Sequence, residues 1–171
     1  RKMTIAQAYN KALRKVTQPY FCILDDDDVL DPSALEMLMA KMREMKKKDP
    51  KVFRIASFQV LINETGVPLA FTSMACQGLM KHQVVRNLGG YPNVPNGPDG
   101  RPTAIPTDAL MMKRALNKGW HSVIIPEGLY WYRIHPAQSI YNLYRKQLEN
   151  MKVPVNNELP FLDWGTKVAS K

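Results

Sequence analysis

The feature that most constrains this chain is a run of four aspartates between an apolar segment and a helix start. Residues 20–24 (YFCIL) form a short apolar run of strand type, and residues 25–28 are all aspartate. Asp31 followed by Pro32 is typical of a helix N-terminus. Open α/β sheets place ligands beyond the carboxyl ends of their strands, so this order predicts an α/β fold with a ligand site directly after a strand.

Helical and strand patterns alternate along the rest of the chain. Apolar residues recur at helical spacing over residues 5–16 and again over 35–45. Further helices are predicted over 81–88, 107–118 and 138–151, and strands over Val52–Ile62, 67–75, 120–125 and 129–133. Residues 63–66 (NETG) indicate a turn, residues 91–106 a proline-rich loop, and Gly119 a left-handed helix cap. We expect one α/β domain over residues 1–152 and an irregular tail over 153–171.

The composition indicates a globular protein, and the net charge favours an anionic partner. With 171 residues, 45% hydrophobic and 23% charged, the chain fits one compact globular domain. Its 24 Lys and Arg against 15 Asp and Glu give a net charge of +9, which favours an anionic partner such as a nucleotide, a phosphate-bearing surface or a nucleic acid. Two cysteines are too few for a disulfide framework, so we expect a reducing, cytoplasmic location. The longest uncharged run, residues 65–80, is too short to span a bilayer.

Four adjacent carboxylates need a counter-charge. Two like charges about 4 Å apart repel by roughly 4 kcal/mol at an effective dielectric of about 20, which is a large cost for a marginally stable fold. A divalent cation removes this repulsion, and oxygen ligands select a hard metal such as Mg²⁺ or Mn²⁺, with substrate phosphates completing its shell. The alternative is a solvated acidic turn in which Asp31 alone has a structural task, as the helix N-cap.

Several stretches of the sequence carry a resemblance to one enzyme family. They are residues 6–13 (AQAYNKAL), the strand and aspartates of 20–32, 87–91 (NLGGY), 107–110 (TDAL) with Arg114 and 118–120 (KGW), 126–129 (PEGL) and 132–135 (YRIH). In this order they resemble family 2 glycosyltransferases of the GT-A fold, over most of the chain up to about Ser139. The resemblance implies a GT-A-like mixed sheet flanked by helices. It also implies an enzyme that moves a sugar from a nucleotide-diphosphate donor to an acceptor hydroxyl.

The resemblance assigns the metal and donor side of the site. Asp25 and Asp27 match the family's Asp-x-Asp motif and would hold Mn²⁺ or Mg²⁺ on the donor diphosphate, with His135 as a further metal ligand. The side chains expected to face the donor diphosphate are Asp26, Asp28 and Arg133. A purely structural side chain remains the alternative for His135, and an element cap remains the alternative for Arg133.

The acceptor side follows from the same resemblance. Asp108 matches the second residue of the family's Glu-Asp pair, the general base that takes the proton from the acceptor hydroxyl, and attack opposite the leaving group inverts the anomeric centre. The residues expected in the acceptor and donor loops are Gly78, Gly89, Gly90 and Thr107, the last standing where the family has glutamate. The alternative for Asp108 is a first-turn acid stabilised by the helix dipole, and tight turns alone would explain the glycines.

The front of the family's fold has no counterpart in this sequence. Family members begin with a strand, a helix and a second strand that bind the base and ribose, whereas this chain starts with Arg1 at the helix before the metal strand. We expect a fragment of a longer chain, a second chain that supplies these elements, or a remnant fold. The donor, the oligomeric state and the acceptor (glycan, glycolipid, protein or modified DNA base) stay open.

Three alternative functions remain at this point. The first is a phage-type glycosyltransferase that acts on modified bases in DNA, with Lys and Arg clusters along the phosphates. The second is a non-catalytic, glycosyltransferase-like binding module. The third is a nucleic-acid-binding protein whose salt-sensitive affinity does not depend on Asp25 or Asp27.

Overall fold

The computed structural model describes residues 3–73, 78–94 and 107–135, together with the backbone of residues 161–162. The helices within these residues are α1 (Ile5–Leu13), α2 (Ala34–Lys48), α3 (His82–Asn87) and α4 (Thr107–Asn117). The strands are β1 (Tyr20–Phe21), β2 (Val29–Leu30), β3 (Val52–Ile62), β4 (Pro68–Thr72), β5 (Leu79–Lys81), β6 (His121–Arg133) and β7 (Phe161–Leu162). The chain divides into two compact units.

The first unit comprises Arg1–Cys22, Lys41–Ile55 and Leu79–Ser122. Helix α1 begins with a capping box, because the Thr4 hydroxyl accepts the Gln7 N–H (3.2 Å) and the Gln7 side chain accepts the Thr4 N–H (3.0 Å). Strand β5 pairs antiparallel with β1 and with the beginning of β3. Helices α1, α3 and α4 belong to the same unit as this antiparallel pairing.

The second unit comprises Ile23–Ala40, Ala56–Gly78 and Val123–Lys171. The end of β3 pairs antiparallel with β4, and the turn between them is closed by the Asn63 side chain, whose Oδ1 accepts the N–H groups of Thr65 (3.0 Å) and Val67 (2.8 Å). Strand β2 pairs antiparallel with β6, and β4 pairs parallel with β7. The pairing is mixed, as the sequence predicts.

Strand β3 carries the core of both units. All eleven of its residues are buried, and Phe53, Ile55 and Leu61 have no exposed surface. Fully burying an apolar side chain of this size contributes about 1.5–3 kcal/mol relative to leaving it exposed. The polar residues Arg54, Ser57 and Gln59 are buried along with the apolar ones. The bounds predicted for this strand, Val52–Ile62, are confirmed.

Helix α2 begins two residues later than the sequence predicts. Asp31 does not cap a helix that starts at Pro32; its Oδ1 instead accepts both the N–H (2.9 Å) and the hydroxyl (2.6 Å) of Ser33. This local turn satisfies the side chain before the helix starts at Ala34. The first predicted helix also ends earlier, at Leu13 instead of residue 16.

The two strands predicted over 120–125 and 129–133 are one continuous strand, β6. Pro126 and Gly128 do not interrupt it. The proline is exposed, and the glycine leaves room for side chains that pack against the strand. A Cβ on Gly128 would lie 2.5 Å from the Phe71 ring and 2.8 Å from Val60. The strands predicted over 20–24 and 67–75 are shorter, ending at Phe21 and Thr72. The predicted helix over 138–151, the tail apart from 161–162, and residues 95–106 of the loop lie outside the described residues.

Candidate active site

The four aspartates form a turn, which we call the acidic turn (residues 25–28). The Asp28 N–H donates to the carbonyl of Asp25 (3.2 Å) and closes the turn. The Tyr130 hydroxyl, projecting from β6, lies against both ends: it donates to Oδ2 of Asp28 (2.7 Å) and accepts the N–H of Asp25 (3.4 Å). The buried Tyr130 hydroxyl thereby holds the first and last residues of the acidic turn in place.

Asp28 is the buried member of the acidic turn, with 8% of its surface exposed. Its second oxygen, Oδ1, accepts the backbone N–H of Arg133 (2.8 Å). Burial raises the pKa of the Asp28 carboxyl to about 6; the hydrogen bonds from Tyr130 and Arg133 oppose this rise, and the neighbouring Asp27 and Asp25 add to it. Both carboxylate oxygens therefore have partners inside the protein.

The Arg133 side chain binds backbone carbonyls. Its Nε donates to the carbonyl of Asp27 (2.8 Å), and its Nη1 donates to the carbonyls of Asn63 (3.1 Å) and Glu64 (2.7 Å). The planar guanidinium thus connects the acidic turn to the hairpin turn between β3 and β4. Its predicted contact with a donor diphosphate stays a prediction.

The acidic turn presents its other side chains outward, next to a histidine. Nε2 of His135 lies 2.9 Å from Oδ2 of Asp27, and the two side chains are 26% and 33% exposed. Asp25 is half-buried and Asp26 is exposed. Two residues that the family resemblance assigns to the metal, 108 positions apart in sequence, are therefore in contact and reachable from solvent.

Asp108 belongs to the other unit, in the first turn of α4. Burial raises the pKa of its carboxyl, while backbone N–H groups of Ala109 and Asp108 and the charge of Arg54 lower it. Arg54 is 4% exposed, and its Nη1 donates to the Ser122 hydroxyl (3.2 Å). A partly desolvated carboxylate at a helix start has the character expected of a proton acceptor.

The predicted loop residues fall in both units. Gly89 and Gly90 have φ values of +84° and +73°, a region that glycine adopts without strain. Thr107 is the first residue of α4, and its hydroxyl donates to the carbonyl of Pro92 (2.6 Å). Gly78 is buried directly before β5.

A family model, Glycosyl transferase family 2, matches residues 1–120 of this chain. The chain belongs to glycosyl transferase family 2. Family membership makes it a glycosyltransferase and implies a nucleotide-sugar donor, and the mixed sheet with flanking helices is that of a GT-A-like fold. The comparison with curated proteins returned no match.

The matched span of this family 2 glycosyltransferase contains the acidic turn, the Gly-Gly turn and Asp108. Tyr130, Arg133 and His135 follow it, so their relation to the acidic turn comes from the structure. Within the described part of the chain, no helix is long and apolar enough to cross a membrane.

The donor set of the acidic turn fits a hard divalent cation. Among the described residues, no three His, Cys, Asp or Glu side chains converge as a preformed metal cluster. Mg²⁺ uses few protein ligands, commonly one or two carboxylates together with substrate phosphates and water. Asp27, with a partly exposed carboxylate and the imidazole of His135 beside it, meets that requirement. Divalent metals are frequent in the family, and this geometry is compatible with one.

Two residues that position candidate groups carry no signal in the sequence of this glycosyltransferase: Asn10 in the first unit and Tyr130 in the second. Tyr130 lies in an apolar strand, and its contact with Asp28 depends on the register that pairs Leu30 with Tyr130. Asn10 lies in the middle of α1 and bonds to the backbone of Tyr91. A polar residue inside an amphipathic helix says little about its contacts. No local sequence pattern predicts that Asn10 bonds to Tyr91 or that Tyr130 bonds to Asp28.

Proposed function

We propose that this family 2 glycosyltransferase is metal-dependent and inverting. It moves a sugar from a nucleotide-diphosphate donor to an acceptor hydroxyl. The observation that carries the proposal is the contact between Asp27 and His135 at the exposed side of the acidic turn (2.9 Å). Bound Mn²⁺ or Mg²⁺ would supply Lewis-acid stabilisation of the negative charge that develops on the departing diphosphate.

The acidic turn holds the donor side in this proposal. Asp27 and His135, already in contact, hold the cation, and Asp25 joins them as a further ligand once the cation is bound. Asp26 faces the donor from the exposed corner of the turn. Asp28 and Arg133 fix the turn, since their polar atoms bond to Tyr130 and to backbone groups of the same unit. A turn fixed on both flanks keeps its carboxylates in place without the donor, which reduces the ordering cost on binding.

Asp108 is the general base in this proposal. Its carboxylate takes the proton of the acceptor hydroxyl while the oxygen attacks the anomeric carbon, and the bond from that carbon to the diphosphate oxygen breaks on the opposite face. Attack from that side inverts the anomeric centre. A carboxylate whose pKa is raised by burial accepts a proton more readily than a solvated one, which supports the assignment.

Metal-dependent donor binding is the first test. Thermal unfolding is measured with UDP-glucose, UDP-N-acetylglucosamine, GDP-mannose and dTDP-rhamnose, each with and without MnCl₂. A ligand at about 100 times its dissociation constant stabilises the folded state by roughly 2.7 kcal/mol, so one donor should raise the melting temperature only with the metal.

Matched variants sharpen this test. Asp27→Asn should abolish the metal-dependent shift, and Glu36→Gln, an exposed first-turn acid of α2, should retain it. A shift that persists in Asp27→Asn would contradict the metal role of the acidic turn. Binding without release of nucleoside diphosphate in any acceptor mixture would favour the binding-module alternative.

A further inference from the structure

Thr107 makes a contact that the family's glutamate could not make. Its hydroxyl donates to the carbonyl of Pro92 at 2.6 Å, across 15 positions of sequence. An ionised glutamate side chain only accepts hydrogen bonds, so at this position it would face a carbonyl oxygen without a proton to share. The threonine hydroxyl at the start of α4 therefore donates to one specific carbonyl, that of Pro92.

The Pro92 carbonyl is itself held in place, through its neighbour Tyr91. The Tyr91 N–H donates to Oδ1 of Asn10 (2.8 Å), and Nδ2 of Asn10 donates to the Tyr91 carbonyl (2.7 Å). The ring of Tyr91, which is 2% exposed, meets the ring of Tyr9 edge to face at 5.1 Å. The side-chain amide of Asn10 thus bonds both backbone groups of Tyr91, as a neighbouring strand would.

The close approach of Asn10 explains one glycine of the preceding turn. A Cβ on Gly90 would lie 2.3 Å from Oδ1 of Asn10, so any other residue there would force the Asn10 side chain to shift. The φ of +73° at Gly90 then directs the chain toward Asn10. Within the first unit, residues 91–92 therefore link helix α1 to the first residue of α4, by the hydrogen bonds of Tyr91 to Asn10 and of Pro92 to Thr107.

We propose that Thr107 and Asn10 are positioning residues for Asp108. This inference rests on the proposed function, in which Asp108 is the general base. The first turn of a helix lacks intrahelical partners for its N–H groups and is free to fray unless it is anchored. The Thr107 hydroxyl anchors this turn to the Pro92 carbonyl, whose preceding residue, Tyr91, is held by Asn10, and the adjacent Asp108 carboxylate keeps its half-buried place. A catalytic group must be held within about 0.5 Å to be effective.

The titration of Asp108 gives a test that requires no substrate. The ¹³C carboxyl resonances of the 171-residue chain are followed against pH, and the Asp108 signal is identified by its loss in Asp108→Asn. Burial raises the pKa of this group, so Thr107→Val should move it back toward the ordinary range of aspartate, whereas Thr107→Ser should keep it raised. Thr17→Val, at an exposed threonine, is the matched control and should leave it unchanged.

Kinetics of nucleoside diphosphate release from the same four sugar nucleotides provide the second test. We expect Thr107→Val to lower kcat by about ten- to a hundredfold with KM for the donor unchanged, because small displacements of a reacting group cost this much. Thr107→Ser should restore kcat. Thr107→Glu, which restores the family's residue, should remain as slow as Thr107→Val.

The outcomes separate this inference from the proposed function. Full activity of Asp108→Asn would remove the base on which both depend. An inactive Asp108→Asn together with wild-type kcat and an unchanged Asp108 titration in Thr107→Val would overturn the positioning role alone. If Thr107→Val does not fold, Asn10→Asp replaces it: the carboxylate still accepts the Tyr91 N–H but cannot donate to the Tyr91 carbonyl, and the same loss of kcat is expected.

Discussion

The hydroxyl of Tyr130 lies 2.7 Å from Oδ2 of Asp28 and 3.4 Å from the backbone nitrogen of Asp25. This pair joins a strand residue to both ends of a turn that lies about a hundred positions earlier in the chain. Asp28 is buried, so the hydrogen bond compensates part of the cost of keeping a carboxylate out of water. The geometry of the acidic turn therefore depends on the hydroxyl oxygen of Tyr130, which bonds to Asp28 and to the backbone of Asp25.

Tyr130→Phe should destabilise the protein and loosen the acidic turn. Removing one partner of a buried hydrogen bond leaves Asp28 with an unpaired oxygen, and we expect a loss of about 1–3 kcal/mol in the free energy of unfolding. Urea denaturation measures this loss, and Tyr20→Phe, at a partly exposed tyrosine of β1, is the control. Equal stability of Tyr130→Phe and the wild type would contradict the role of this hydrogen bond.

His135→Ala should weaken manganese binding in the presence of the donor. The imidazole lies beside Asp27 and is partly exposed, so its removal takes away one nitrogen ligand. Isothermal titration calorimetry with MnCl₂ should give a higher dissociation constant, while His121→Ala, whose imidazole pairs with Asp49 in the other unit, should match the wild type. An unchanged titration in folded His135→Ala would leave the histidine with a structural role.

Arg133→Lys should weaken metal-dependent donor binding even though the charge is kept. A single ammonium cannot reach the Asp27 carbonyl and the two hairpin carbonyls in the geometry of the guanidinium. The expected result is a smaller thermal shift with donor and Mn²⁺, with Arg86→Lys, on the exposed face of α3, unaffected. A full shift in Arg133→Lys would show that the hairpin contact does not govern the acidic turn.

Asp108→Asn should lose turnover and gain stability at neutral pH. Burial raises the pKa of Asp108, so the folded chain keeps this proton at pH values where the unfolded chain has lost it. The favourable contribution of the group is present below the ordinary pKa of aspartate and is lost as pH rises through the raised folded value. The melting temperature of Asp108→Asn relative to wild type should thus be higher at pH 7 than at pH 4. The same difference at both pH values would argue against a desolvated carboxylate.

Gly90→Ala and Gly119→Ala should differ although both glycines have positive φ. Gly119 (φ +75°) has open space where a Cβ would be, so its substitution carries only the left-handed backbone cost of about 1–2 kcal/mol. Gly90→Ala adds a clash with the Asn10 side chain and should cost more. Urea denaturation of the two variants compares them directly, and equal losses would mean that Asn10 moves away freely.

The amino-acid sequence by itself determined the elements whose causes are local. The β-branched and aromatic residues of 52–62 predict a strand, and its bounds are confirmed in β3. The turn at residues 63–66 and the left-handed cap at Gly119 follow from asparagine and glycine chemistry. The position of the carboxylates after a strand is likewise visible in the order of residues alone.

Only the tertiary structure decided which side chains meet at the candidate site. His135 and Asp27 are 108 positions apart, and Asn10 and Tyr91 are 81 positions apart. Their contacts depend on strand register and on where a helix packs, and a shift of one residue in β6 would turn Tyr130 away from Asp28. Sequence periodicity specifies which face of an element is buried. The partner across that face is fixed only when all the elements have packed together.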